Sequence, residues 1–515
     1  MVSRSVDCRD VSSPTLPRPT VVDPYPLVDD VTVTGVTHDS RAVQPGDLYA
    51  ALPGANTHGA RFGADAVAAG AAGILTDGAG REILDEIGVT GVPVLVHDNP
   101  RARLGDISAA IYGHPSRELT MIGITGTNGK TTTAYLIEAA LRAAGQTTGL
   151  IGTVETRIGG DHVSSVRTTP ESTDLHALLA AMRERGVTAC VMEVSSHALV
   201  YGRVDGVIFD VAAFTNLSRD HLDFHGTLED YFAAKGDLFT GARSRVGVIM
   251  ADDAHGRALA AGAEIPVQTV TTRRAIAITA DWMAADGRLT GPDGVDVELT
   301  APMPGDFNVA NAALAVVTAV RAGIDPETAA GGVAAAPGVP GRMEAVKATE
   351  GSGGVSDAPL ALVDYAHTPE AIATVLDALP APGRRIAVLG AGGDRDRDKR
   401  PLMGAAAARH ADVVIVTDDN PRSEEPASIR RAVLDGARNA DDRRAGDIRE
   451  IADRRAAIQE AVNLADGVDD VIVVLGKGHE QGQEIAGTVH PFDDREVLGD
   501  SLRAALERAA EEKRG

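Results

Sequence analysis

Apolar positions along this chain follow two alternating rhythms. Between Val31 and Val96, the runs VTVTGVT, DLYAAL, GILT and VPVLV have the length and β-branched content of strands. The Ala-rich stretch from Ala60 to Ala69 reads as a helix among them. Together they predict a small α/β domain over 27–117. A second unit opens with MIGIT, a strand of buried type, followed by the Gly-rich turn GTNGKT. A helix is predicted from Thr131 to Ala144, closed by Gly145. Another helix, Asp174 to Arg185, ends at Gly186 and leads into the strand TACVMEVS. VIFDVAAFTNLS and RVGVIMADD continue the rhythm, which predicts a mostly parallel sheet covered by helices over 118–342. The Gly- and Pro-rich stretch GGVAAAPGVPGR closes that unit. Over 343–515, three apolar strands each end in a polar turn: RIAVLGAGGDRDRD, ADVVIVTDDNPR and DDVIVVLGKGHE. Helices follow from Ile429, Asp453 and Val497. Ligands of open parallel sheets sit at such strand ends. The fold class expected is therefore α/β in three domains. Ahead of them, residues 1–26, with Pro14, Pro17, Pro19, Pro24 and Pro26, read as a mobile leader.

Composition narrows the function classes. At 515 residues the chain is long enough for about three domains, and 44% hydrophobic content can fill their cores. A net charge of -24 and only 3% aromatic residues disfavour nucleic acid as a partner. The two cysteines, Cys8 and Cys190, suggest neither a disulfide framework nor a zinc site. No apolar signal core and no long apolar run is seen, so a cytoplasmic protein without membrane insertion is expected, as a monomer.

The strongest local chemistry is Gly126-Thr127-Asn128-Gly129-Lys130-Thr131-Thr132 between a strand and a helix. Such a turn aims backbone N–H groups and a helix dipole at phosphates, with Lys130 on the β/γ-phosphates and the Thr131 hydroxyl toward Mg²⁺. The general spacing GxxxxGKS/T is not met, because position 124 is Ile. Further on, Thr227 and Asp230 read as a helix start, after which Leu228, Phe232, Lys235 and Phe239 share one face. A lysine on an apolar stripe is partly desolvated, which lowers its pKa; a snorkelling ammonium is the plainer alternative.

TGTNGKTT resembles the ATP loop of the Mur ligase family, which includes the folylpolyglutamate synthases. MEVSSHAL, NLSRDHLDFHG, GDFNVANAALA, GRME, DYAHTPEA, GGDRDRDKRPLMG, TDDNPRSEEP and LGKGHE follow in family order, covering the chain from about Val31 to its end. The resemblance is closest to members that add the third residue of the peptidoglycan stem peptide. It implies two steps: ATP phosphorylates a substrate carboxylate, and an amine then displaces phosphate from the acyl phosphate. It implies ATP and Mg²⁺, with Thr131, Glu193, His221 and a CO₂-derived carbamate on Lys235 holding metal, and Lys130 as the phosphate-binding cation. Asn308, Asn311 and Arg342 would border ATP. Ser40, Ala55, Asn56 and Thr57 would receive the uridine diphosphate end, and Thr168, Thr169, Ser195, Tyr201 and Arg203 the diphosphate and peptide carboxylates. Tyr201 is a departure, since related enzymes often carry Gln there.

Asp419-Asn420-Pro421-Arg422, with Arg395, Gly476 and Glu480, would bind the incoming amino acid. Meso-diaminopimelate differs from lysine by a distal carboxylate, which a guanidinium such as Arg422 would pair. Diaminopimelate is the expectation and lysine the alternative. A P-loop kinase or ATPase would share Lys130, Thr131 and Glu193 but have no use for the DNPR and GKGHE turns. A silent binding module would be expected to lack one of Lys130, Glu193 or Lys235.

Overall fold

The β-branched run at 31–37 forms two strands that belong to different sheets. Val31–Val33 pairs antiparallel with Tyr25–Val28, whereas Gly35–Thr37 turns away to pair in parallel with Asp47–Ala50. Gly35 permits the change, since a Cβ there would meet Asp47 Oδ1 at 2.2 Å. The structure is a computed structural model; it describes residues 16–28, 30–54, 56–163, 167–273, 280–348, 358–379 and 382–512.

The first parallel sheet runs Gly35–Thr37, Asp47–Ala50, Gly73–Thr76, Val94–Val96 in chain order. The helix expected over 60–69 is instead a 3₁₀ turn, Gly59–Phe62, running into the short helix Gly63–Ala68. His58 sets that start by accepting the Ala60 N–H at 3.0 Å. The described part of the leader is anchored rather than loose. The Arg18 guanidinium reaches both oxygens of the buried Asp47 carboxylate, at 3.0 and 2.8 Å, and Val22 and Leu27 pack beside Val36, Leu48 and Ala180. A charge-assisted fork and apolar contacts offset the entropy of ordering this segment. Residues 1–15, Cys8 among them, lie outside the described residues.

The central sheet has eleven strands. Its parallel part runs Thr148–Ile151, Ala189–Glu193, Thr120–Thr125, Phe209–Phe214, Ser244–Met250, Val267–Thr271 and Trp282–Ala285, and antiparallel strands finish both edges. Alternation along the strands divides the core: Ile122 and Ile124 face one cluster, Met121 and Met192 the other. Helices Lys130–Ala143, Asp306–Arg321 and Pro326–Ala334 cover the first face, and Ser172–Glu184 covers the second. Trp282, the only tryptophan of the chain, is buried near the far edge, its indole N–H donating to Gln268 Oε1 at 3.0 Å. Strand order reverses about Thr120–Thr125: the next parallel strands lie on one side of it and the later ones on the other. The turn that follows Thr125 therefore opens into the crevice where open α/β sheets bind ligands.

The third sheet orders Leu360–Asp364, Val471–Leu475, Arg385–Leu389, Val413–Val416 and Asp447–Glu450 in parallel, with Glu344–Ala345 antiparallel at its edge. The three strands singled out in the sequence are thus neighbours, and their polar turns emerge side by side. Behind them Arg454 and Asp494 form a fully buried ion pair at 2.7 Å.

Candidate active site

The loop after Thr125 is shaped by crowding as much as by backbone freedom. Gly126 has φ +143°, and a Cβ there would lie 1.9 Å from Thr215 Oγ1; Gly129 has φ +85°, and its Cβ would lie 2.5 Å from Asn311 Oδ1. The Asn216 side chain grips the backbone of Asn128, accepting its N–H at 3.0 Å and donating to its carbonyl at 3.1 Å. Thr215 Oγ1 donates to that carbonyl too, at 2.6 Å. The helix then begins at Lys130, so its first N–H groups and dipole face the loop as an anion site.

Two lysines converge here. Lys130 Nζ donates to the Gly126 and Thr127 carbonyls at 2.9 and 2.8 Å, and Lys235 Nζ donates to the same Gly126 carbonyl at 2.7 Å. Lys235 comes from the helix Leu228–Gly236, whose start is capped by Thr227 Oγ1 accepting the Asp230 N–H at 3.1 Å. It is 1% exposed and stands 4.4 Å from the Tyr231 ring centroid. Burial, reinforced by the charge of Lys130, pushes the Lys235 amine well below its ordinary range, with Asp220 opposing. Burial also lowers Lys130, against the pull of Glu193 and Asp220.

Glu193 is buried at a strand end, accepting the Thr153 N–H at 2.8 Å and its hydroxyl at 3.1 Å. The Thr168 hydroxyl lies 3.0 Å from that of Thr153. Thr169 Oγ1 donates to the Glu193 carbonyl at 2.9 Å and accepts the Ser195 N–H at 3.1 Å. Ser195 caps the next helix through the Ala198 N–H. His221, in the left-handed region at φ +53°, lies 3.4 Å from Asp220; burial pushes it down to about 4 despite that carboxylate. The Thr131 hydroxyl accepts from Arg342 Nη2 at 3.2 Å, and the Arg342 guanidinium lies 4.2 Å from the Tyr365 ring centroid. Thr132 is buried just behind it. Asn311 accepts from the Thr133 hydroxyl at 3.4 Å, while Asn308 is turned onto the Pro304 carbonyl at 2.7 Å.

Among the described residues, no three His, Cys, Asp or Glu side chains gather as a metal cage. Thr131, Glu193, His221 and Lys235 each engage a different partner instead. Thr131 and Glu193 offer the hard oxygens that Mg²⁺ prefers, with water and phosphate to complete its shell, whereas His221 could add only a nitrogen. The Lys235 amine would join that set only after gaining oxygens, and a neutral buried amine is the form that reacts with CO₂.

In the third unit, Arg422 Nη1 donates to the Gly393 carbonyl at 2.7 Å, which brings DNPR to GGDRD. Arg422 stands at φ +51° because its backbone is paired to a hairpin, Gly482–Ile485 with Thr488–Pro491. Its N–H donates to the Glu484 carbonyl at 3.0 Å and its carbonyl accepts the Ala486 N–H at 2.7 Å. Asn420 donates to Glu480 Oε2 at 2.8 Å and accepts from Lys477 Nζ at 2.9 Å. Asp419 is buried against Gly476, whose Cβ would meet its Oδ2 at 2.6 Å; Pro421 crowds Gly393, and Arg395 is exposed at the rim. In the first unit, Ser40, Asn56 and Thr57 follow the carboxyl ends of two adjacent strands; Ala55 lies outside the described residues.

Thr215, Asn216 and Lys477 were not singled out by sequence reasoning. Asn216 shows only as a polar residue after an apolar run, and its partner lies 88 positions away. Lys477 carried a better signal, a lysine between two glycines directly after an apolar strand.

Three family models match in order: the Mur ligase family catalytic domain over 32–112, the Mur ligase middle domain over 124–319 and the Mur ligase glutamate ligase domain over 341–478. The chain is 52% identical to a UDP-N-acetylmuramoyl-L-alanyl-D-glutamate–2,6-diaminopimelate ligase of Streptomyces coelicolor, over 95% of this chain and 98% of the relative. A ligase of the same name from Corynebacterium glutamicum is 48% identical, over 94% and 93% of the two chains. A solved structure of a ligase so named matches with TM-score 0.62 at 33% identity, over 94% of this chain and all of that one.

Proposed function

Since the chain belongs to the Mur ligase family, we propose that it joins 2,6-diaminopimelate to UDP-N-acetylmuramoyl-L-alanyl-D-glutamate at the expense of ATP, in peptidoglycan synthesis. The observation that carries the amino-acid assignment is Arg422, held by a hairpin at the meeting of three polar turns, in a chain about half identical to ligases named for that substrate. The meso isomer is the substrate proposed, its distal carboxylate on Arg422 and its distal ammonium on Glu480, with Arg395, Asn420 and Gly476 around it. Lysine offers Arg422 no carboxylate.

The three sheets support domains at 27–117, 118–342 and 343–515. Gly126 to Thr132 would cradle the phosphates of ATP, with Lys130 released from its loop carbonyls onto them, and Asn308, Asn311 and Arg342 beside the nucleotide. Ser40, Asn56 and Thr57 would take the uridine end of the other substrate. Thr168, Thr169, Ser195 and Arg203 would orient its glutamyl arm so that the reacting carboxylate meets the terminal phosphoryl group. The carboxylate takes that phosphoryl group as ADP leaves, and the amine of diaminopimelate then displaces phosphate from the acyl phosphate, losing a proton as the amide forms. Mg²⁺, held by Thr131, Glu193, His221 and a carbamate on Lys235, would supply positive charge to the phosphate oxygens. Burial shifts Lys235 toward the neutral amine that reacts with CO₂, which supports a carbamate there. ATP as co-substrate makes the cytoplasm the place of action, and we take the working form to be a monomer.

Phosphate release from ATP with UDP-muramoyl-L-Ala-D-Glu, with meso-diaminopimelate and L-lysine in parallel, tests this. Release with diaminopimelate alone is expected. Release with lysine would overturn the pocket assignment. Release with neither amino acid added would restore the kinase or ATPase reading.

A further inference from the structure

A cluster of charged side chains joins the first two units at their seam. The buried carboxylate of Glu171, just before the helix Ser172–Glu184, is ringed by three guanidinium groups. Arg203 Nε lies 2.9 Å from Oε1, Arg101 Nη1 lies 3.1 Å from Oε2, and Arg167 also reaches Oε1. Asp174, a second and half-buried carboxylate, feels Glu171 and Arg167 from the same side, while Arg101 and Arg203 meet on Glu171. Burial raises the Glu171 carboxyl, but Arg203, His38, Arg101 and Arg167 together hold it below its ordinary range. Arg101 is placed against its local interest, in the first turn of the helix Pro100–Ile111, where the dipole disfavours a cation and no acidic residue stands. Its side chain remains 37% exposed. The ring of Tyr201, the residue that departs from the family pattern, lies 5.9 Å from the Arg101 guanidinium and 5.5 Å from that of Arg203.

Building on the muramoyl dipeptide reading, we propose that Arg101 is a second anion-binding arm for that substrate, reaching it from the N-terminal unit beside Arg203, with Glu171 and Tyr201 as positioning residues. Glu171 spaces the guanidinium groups, and the Tyr201 ring gives two of them an electron-rich face to lie on. The ligand group is an oxyanion, and the substrate offers two kinds: its diphosphate and the glutamyl carboxylate that does not react.

Calorimetric titration of the full chain with UDP-muramoyl-L-Ala-D-Glu, and with the D-isoglutamine analogue lacking that carboxylate, tests the proposal. Arg101→Ala should weaken the first ligand ~10- to 100-fold, the range for a hydrogen bond to a charged group. The loss should fall on KM more than on kcat, and Arg101→Lys should recover only part of it. Arg103→Ala, exposed on the same helix, should bind as the unaltered chain does. If the losses from Arg101→Ala and from the amide analogue do not add, the carboxylate is the group bound; if they add, it is the diphosphate. Affinity of Arg101→Ala within about twofold of the unaltered chain for both ligands overturns the proposal. Failure of the unaltered chain to bind either ligand overturns the substrate reading instead.

Discussion

Lys130 and Lys235 donate to one carbonyl but reach it by different routes. Lys130 is bound to the turn that carries it, whereas Lys235 crosses to Gly126 from 109 positions away. Lys235→Ala is expected to abolish ligation, and a short-chain carboxylate such as acetate should restore part of it by standing where the carbamate would. Full activity without rescue would rule out the carbamate. At Arg422 the prediction concerns selectivity. Arg422→Ala should cost on the order of 2–4 kcal/mol in kcat/KM for diaminopimelate, the scale of a charge left unpaired. The ratio of diaminopimelate to lysine use, measured by phosphate release, should fall accordingly; an unchanged ratio removes Arg422 from the pocket. Much of this was legible residue by residue. The loop glycines sit between a strand and a helix as their spacing implied, and the apolar stripe of Leu228 and Phe232 did carry Lys235 inward. What stayed hidden is pairing over long sequence distance: Asn216 with Asn128, Lys477 with Asn420, Arg101 with Glu171.

Among elements, the helix Leu228–Gly236 decides how Lys235 is delivered. It is only nine residues long, so its stability leans on the Thr227 cap and on Tyr231 packed in the core. Thr227→Ala should cost ~1 kcal/mol by denaturant unfolding, and Thr227→Asn should recover most of it. Strands were the most readable elements, because a β-branched run closed by Gly or Asp has few other interpretations. Two elements were not readable in that way. The split at Gly35 depends on Asp47 occupying the space a side chain would need, and the 3₁₀ start at Gly59 depends on the imidazole of His58. The hairpin 482–491 was also missed; it is the element that puts Arg422 in a left-handed conformation.

At the scale of the molecule, the three units meet at seams that tolerate little addition. A Cβ on Gly105 would fall 2.5 Å from the Asp205 carbonyl oxygen, and one on Gly341 would fall 2.1 Å from the His479 nitrogen. His176 lies in the first of these seams, fully buried, one ring nitrogen 2.8 Å from the Asp205 carbonyl. Burial pushes it down to about 4, against the carbonyl bond that favours its charged form. The unfolded chain therefore binds the extra proton first: the share of stability due to His176 is fully present above about pH 6.5 and is lost as pH falls toward about 4. The contribution of this one residue is about 3 kcal/mol. Urea unfolding across that window should show the decline, and His176→Asn should remove this residue's share while leaving that of His197, His221 and His479, which burial also pushes down to about 4. The anchored leader adds a further tie across the same region, Thr20 N–H to Glu184 at 2.8 Å, which composition alone had suggested was loose.

Trp282 has a use apart from packing. Because the chain holds one tryptophan and that one is buried in the central sheet, intrinsic emission above the tyrosine background is a single-site optical reporter. It should be blue-shifted in the native protein and turn red only when the middle of the chain melts. The flanking domains, which carry no indole, would be silent in that channel, so comparison with far-ultraviolet dichroism would separate their unfolding from that of the centre without any label.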